Sequence, residues 1–175
     1  MKMLKKLLAV VLTGAMALTL LTACGSNAVT EKDIADAMND MAKAAEEDIT
    51  FTPRAKEREM AQKVAALLES HSEDDSNSAE LSAKIQGILG INAGGANANN
   101  FVWCGATYTD ELGTSGQALN FMTQVMDKSA NADKLRGKNP ADDRYMGTAL
   151  YKTVDENGKQ VTKRIIVVTA EAVDE

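Results

Sequence analysis

Histidine is almost missing from this 175-residue chain, with His71 the single example. A metal centre built on several imidazoles, or a triad needing more than one, is therefore excluded. Cysteine is nearly as scarce: Cys24 and Cys104 are too few for a disulfide framework. Basic charge is in deficit, 19 Lys and Arg against 25 Asp and Glu. That balance argues against nucleic acid as a partner and against a whole domain held flat on an anionic bilayer. Neither G-x-G-x-x-G nor a P-loop is present. The stretch INAGGANANN has no helix start directly after it and reads as an irregular connection. The acids after His71 (Glu73, Asp74, Asp75) and the pair Asp142-Asp143 lack the spacing of a calcium loop. No internal repeat is visible.

What is present begins with Lys2, Lys5 and Lys6, followed by an apolar run over residues 7–21. This is the shape of an export signal, too short for a permanent span. The run closes on Leu21-Thr22-Ala23-Cys24, which resembles the bacterial lipoprotein lipobox. The resemblance implies that Cys24 becomes the first mature residue and carries a covalent diacylglycerol and acyl (palmitate) lipid, its sulfur being the nucleophile that accepts it. The expected organisation is a signal peptide over 1–23, a lipidated cysteine and short tether over 24–30, and a single domain over 31–175. Such a protein is anchored by lipid to the bacterial cell membrane and faces outside the cytoplasm. The 152 mature residues suffice for one core, and without the three leader lysines the net charge is −9.

Helical spacing recurs early in the domain. Ile34, Ala37, Met38, Met41 and Ala45 share one side of a first helix. Thr52-Pro53 reads as the start of a second, which buries Met60, Ala61, Val64, Ala65 and Leu68. Ser78 is placed to cap a third, with Leu81, Ile85, Ile88 and Leu89 inward and Gly90 at its stop. FVWCGATYT alternates as a strand, with Phe101, Trp103, Gly105 and Thr107 on one side. A fourth helix from Thr114 or Ser115 buries Ala118, Phe121, Met122, Val125 and Met126, and a charged loop follows it to Arg144. Two β-rich runs then flank Asp155-Glu156-Asn157-Gly158, a hairpin signal. Residues 165–168 are apolar without alternation, as in a central strand covered on both faces. The expected fold is α+β, with helices packed on a small, mainly antiparallel sheet as an α-β-α sandwich.

With the elements in this order, the mature chain resembles the CAP superfamily (cysteine-rich secretory proteins, antigen 5 and pathogenesis-related 1) in its bacterial SCP-like form. The resemblance rests on LLESHSEDDS, with His71 where that family's first histidine falls, on SGQALNFMTQVMDKSANADKLRG, and on DDRYMGTALYKTVDENGKQVTKRIIVV. The family's cleft carries two histidines and two acidic residues. Here the Ser-x-x-His position reads Ser129-Ala130-Asn131-Ala132, and the strand that opens Gly-Glu-Asn reads Asn100-Phe101-Val102-Trp103. The resemblance therefore implies a degenerate member, without metal binding or catalysis carried over.

Few residues qualify as chemistry. His71 and Cys104 are the candidate base and nucleophile of a thiol enzyme, but beside Val102 and Trp103 Cys104 reads better as a small buried strand residue. His71, Trp103 and Tyr145 are the candidate ligand-binding residues, with Arg144 and Tyr151 nearby. Met38, Met41, Met60, Met122 and Met126 sit at core spacing, as adaptable filler rather than copper ligands. No cofactor is expected beyond the lipid on Cys24. The function expected is binding of an envelope ligand (cell-wall glycan, lipid) or a protein partner. The alternative is a divergent envelope hydrolase or thiol enzyme. A further alternative, an assembly lipoprotein, predicts an exposed apolar patch around Ile34, Met38 and Met41.

Overall fold

Eight elements follow one another as α1 (Glu31–Ala44), β1 (Thr50–Pro53), α2 (Ala55–Glu69), α3 (Ala79–Leu89), β2 (Phe101–Tyr108), α4 (Thr114–Val125), β3 (Asn139–Val154) and β4 (Gln160–Val173). They belong to a computed structural model that describes residues 29–71, 79–91, 96–109, 112–125, 135 and 137–174. Cys24, Ser78, Met126 and the segment Ser129-Ala130-Asn131-Ala132 lie outside the described residues. The sheet order is β1-β3-β4-β2. β1 runs parallel to β3, and the other two pairings are antiparallel.

β4 explains the layering. Ile166, Val168 and Ala170 join α1 and α4 in one core, with Ile34, Met38, Phe121 and Met122. Ile165 and Val167 join Met60, Ala61, Val64 and Leu89 of α2 and α3 in a second core on the opposite face. A strand apolar on both sides requires two helical layers, and the result is the α-β-α sandwich expected from residues 165–168. The turn signal holds as well: Gly158 takes a φ of +78°, and its N–H donates to the Asp155 carbonyl.

Four local expectations are corrected. Thr52 and Pro53 do not open α2 but lie in β1, an edge strand, where a missing N–H is tolerated. Arg54 then precedes the helix. The charged stretch 139–144 is the beginning of β3 rather than a loop. A β-bulge between Phe101 and Trp103 breaks the alternation of β2. Phe101 therefore packs with α2 and α3, while Val102 and Trp103 both pack toward α4. Ile34 and Met38 are fully buried under α1, and Met41 packs against the same core, so no apolar patch is exposed there.

Side chains close the sheet edges. The Asn39 amide donates to the Phe51 carbonyl at 3.0 Å and accepts from its N–H at 2.7 Å, standing in for a strand beside β1. Asn97 makes the same pair with Phe101 beside β2, at 2.8 and 2.7 Å. Beyond β1, the edge of β3 is held by two carboxylates: Thr148 N–H donates to Glu31 at 2.7 Å and Lys152 N–H to Glu69 at 2.8 Å. Such capping blunts an edge that would otherwise template pairing with another chain.

α2 meets β3 at Gly147. A Cβ there would lie 2.0 Å from Arg58 N and 2.2 Å from Glu57 C, both backbone atoms of the first helical turn. Gly147→Ala is expected to cost about 3 kcal/mol through overpacking, measured as a lower denaturation midpoint at unchanged slope. Gly87, inside α3 with open space around it, is the contrast. Gly87→Ala should stabilise by about 0.5–1 kcal/mol.

Candidate functional site

The turn that begins α2 brings a charged cluster onto the sheet. Glu57 shares the buried stripe of that helix with Met60, Ala61 and Val64, and is itself fully buried. Its carboxylate accepts from Arg54 Nε at 2.6 Å, from Arg54 Nη2, and from Thr169 Oγ1 of β4 at 2.6 Å. The Arg54 guanidinium also lies 3.7 Å over the Tyr145 ring of β3, a cation–π stack that orders an otherwise flexible side chain. Tyr145 and Thr169 are neighbours in register, so the two strands supply the floor and α2 the lid.

Burial by itself pushes the Glu57 carboxyl upward. The hydrogen bonds from Arg54 and Thr169 outweigh it and hold the group below the ordinary carboxylate value. Glu57 thus stays ionised at neutral pH with its oxygens occupied, which suits neither a general acid nor a general base. Arg54 keeps over a third of its side chain exposed and stays charged. What the cluster offers outward is a fixed guanidinium edge beside a phenol, a recognition surface rather than proton-transfer machinery.

Two further arginines penetrate the opposite face. Arg164 donates from Nε to Gln117 at 2.9 Å, from Nη1 to Thr148 Oγ1 at 3.1 Å and from Nη2 to the Val29 carbonyl at 2.6 Å. It thereby ties the beginning of the domain to α4 and the hairpin. Arg144 is completely buried and donates from Nη1 to the Val125 carbonyl at the end of α4. Its Nε and Nη2 have no acceptor among the described residues. Burial lowers its pKa to about 10.

The residues singled out from sequence are dispersed. His71 follows α2, where Nδ1–H donates to the Leu67 carbonyl at 2.7 Å and closes the helix end. Cys104 is half-buried against the α2/α3 core, opposite Val167 of β4, which in turn faces Gly147. The end of α2 is fastened at Lys152 through Glu69. Five strand residues, roughly 16 Å, therefore separate the two levels, and the fold does not bring imidazole and thiol together. Trp103 is buried under α4, donating Nε1–H to Gln124 at 3.1 Å and meeting Phe121 edge-on at 5.8 Å. Its ring lies over Gly105, where a Cβ would come within 2.1 Å of it. Tyr145 alone belongs to the charged cluster. Among the described residues, no group of three His, Cys, Asp or Glu is placed to hold a metal.

Arg54 and Glu57 were missed from sequence because RAKERE reads as a solvated helix start. The available signal was position: Glu57 stands three and four residues before Met60 and Ala61, on the buried stripe. No protein-family model matches the chain, and comparison with the curated proteins and with the solved structures likewise gives no match.

Two outcomes follow from this geometry. A carboxylate held below its unfolded value contributes stability that is present above about pH 4.5 and is lost as pH falls through the folded value. Glu57→Gln should lower the melting temperature at pH 7 and flatten the acid limb of a melting-temperature profile taken from pH 7 down to 2. For Arg144, replacing a buried cation by an apolar chain of similar length relieves desolvation. Arg144→Met is expected to be neutral or to stabilise by roughly 1–4 kcal/mol, measured by urea denaturation.

Proposed function

We propose that this chain is a lipoprotein anchored through Cys24 to the outer face of the bacterial cell membrane, whose domain binds an envelope ligand or protein partner without catalysis. The observation that carries the reading is the ordered run of basic residues, apolar segment and Leu21-Thr22-Ala23-Cys24. The likeness to SCP-like domains rests on the sequence segments around His71, Ser115 and Tyr145, and the separation of His71 from Cys104 favours binding over thiol chemistry. The face offered to a ligand is the exposed edge of Arg54 beside Tyr145. Its chemistry suits a carboxylate or another polar anionic group, such as an acidic glycan or peptide carries.

The first half of the proposal is tested by expressing the full chain in a bacterium fed a clickable palmitate analogue. The wild-type protein should carry the label and sediment with membranes. Cys24→Ser should lose the label, leaving an unlabelled uncleaved precursor or a cleaved domain that no longer sediments with membranes. Label absent from the wild type, or retained by Cys24→Ser, overturns the assignment.

A further inference from the structure

α1 has a direction that bears on how the domain is held. Its first residue, Glu31, accepts from Thr148 N–H, while Asn39, two turns later, clamps Phe51, which is paired with Arg144. The helix therefore runs away from the β3–β4 turn, and the chain preceding it emerges toward that turn. Arg164 fixes the exit point by holding the Val29 carbonyl, and Leu150 lies directly opposite Arg164 in register. Five residue steps separate Val29 from Cys24, a reach of at most about 18 Å.

Of the four exposed large apolar side chains among the described residues, three lie at the hairpin end and one, Val173, at the far end. Leu150 is 52% exposed and Val154 44%, on the same face of β3 and four residues apart. Tyr108 is 45% exposed at the same end on the other face of the sheet, with Lys163 Nζ 4.7 Å over its ring. Lys152, Lys159 and Lys163 lie there with Asp155, Glu156 and Glu69, and the start of α1 adds Lys32 between Glu31 and Asp33, so the described charges of this end are of mixed sign. The far end is different: Glu46, Glu47, Asp142, Asp143 and Glu171 crowd it, with Lys43 and Lys138 as the nearby lysines. Its acids on β3, Asp142 and Asp143, lie seven to eight residues from Leu150, about 25 Å along the strand from the exit point. That end can meet the bilayer only if the domain lies flat, which would press its acids against anionic headgroups.

We infer that the β3–β4 hairpin end rests on the bilayer, with Leu150, Val154 and Tyr108 entering the headgroup region beside the lipid anchor. The inference rests on lipidation of Cys24. Lysine stems of Lys152 and Lys163 can lie along the same interface with their ammonium groups at the phosphates. A single acyl attachment leaves orientation free, whereas a second, apolar contact at the base of the domain fixes it. The charged cluster at Arg54 and Tyr145, five residues or about 16 Å along β3 from Leu150, is then held away from the membrane and toward the envelope.

The test uses the full lipidated chain in vesicles of phosphatidylglycerol and phosphatidylethanolamine carrying headgroup nitroxides. Leu150→Cys, Val154→Cys and, at the far end, Val173→Cys are each labelled with an environment-sensitive fluorophore in a Cys104→Ala background. Quenching several-fold stronger at 150 and 154 than at 173 is expected. Equal quenching at all three, in protein that floats with the vesicles, overturns the inference while leaving the anchor intact. Shielding at 150 that grows with protein concentration in detergent assigns the edge to a second copy and also overturns it. Protein that lacks the lipid mass and does not float refutes the anchor, and the inference with it. Hydrogen exchange of the unsubstituted protein gives an independent reading, with slower exchange over residues 150–160 on vesicles than in detergent.

Discussion

The two-sided burial of β4 is the constraint on which the rest of the molecule depends. Ile165 and Val167 enter one core while Ile166 and Val168 enter the other. Burying four such side chains removes enough apolar surface to be worth about 1.5–3 kcal/mol each. Neither face can be left to water, so helices must cover both, and the short chain uses two on each side. β3 and β2 flank β4 and take their own inward residues from the same requirement. β1 is only four residues long because its task is to extend β3 where α1 and α2 are joined.

Several helix ends are fastened to this sheet by charged side chains. Glu57 fastens the start of α2 to β4, Arg164 fastens the start of the domain to α4 and the hairpin, and Arg144 reaches the end of α4. Each is buried and takes its partners from a different element, so these contacts specify position more than they add stability. Glu31 and Glu69 act similarly on backbone N–H groups of β3. An acidic chain thus spends several of its carboxylates on architecture. The net charge seen in composition overstates how uniformly acidic the surface is: the far end of the sheet is acidic, while lysines and acids are mixed among the described residues of the hairpin end.

This division also bears on function. A carboxylate locked by an arginine and a threonine, a histidine turned back onto its own helix and a thiol packed against a core describe a domain whose polar groups are committed. Among these groups, the exposed part of Arg54 over Tyr145 faces outward from a rigid support.

Much was legible in the sequence because the signals were local. Periodicity located α1 to α4, Asn157-Gly158 located the hairpin turn, and the unbroken apolar run of 165–168 announced a central strand with helices on both sides. The alternation of β2 was readable except at Phe101, where a bulge that depends on pairing with β4 moved one residue to the other face. β1 escaped because four residues containing a proline carry no strand signal of their own and exist only by pairing with β3. The partners of Glu57, Arg144 and Arg164 were invisible for the same reason: apart from Arg54, three residues before Glu57, they lie 16 to 135 residues away along the chain. The sequence by itself determined the element types, the sandwich and the lipobox-like motif, all properties of neighbouring residues. Only the tertiary structure decided which charges are buried, which edges are capped and which end of the sheet the tether leaves from, because each of these is set by contacts that close after distant segments have met.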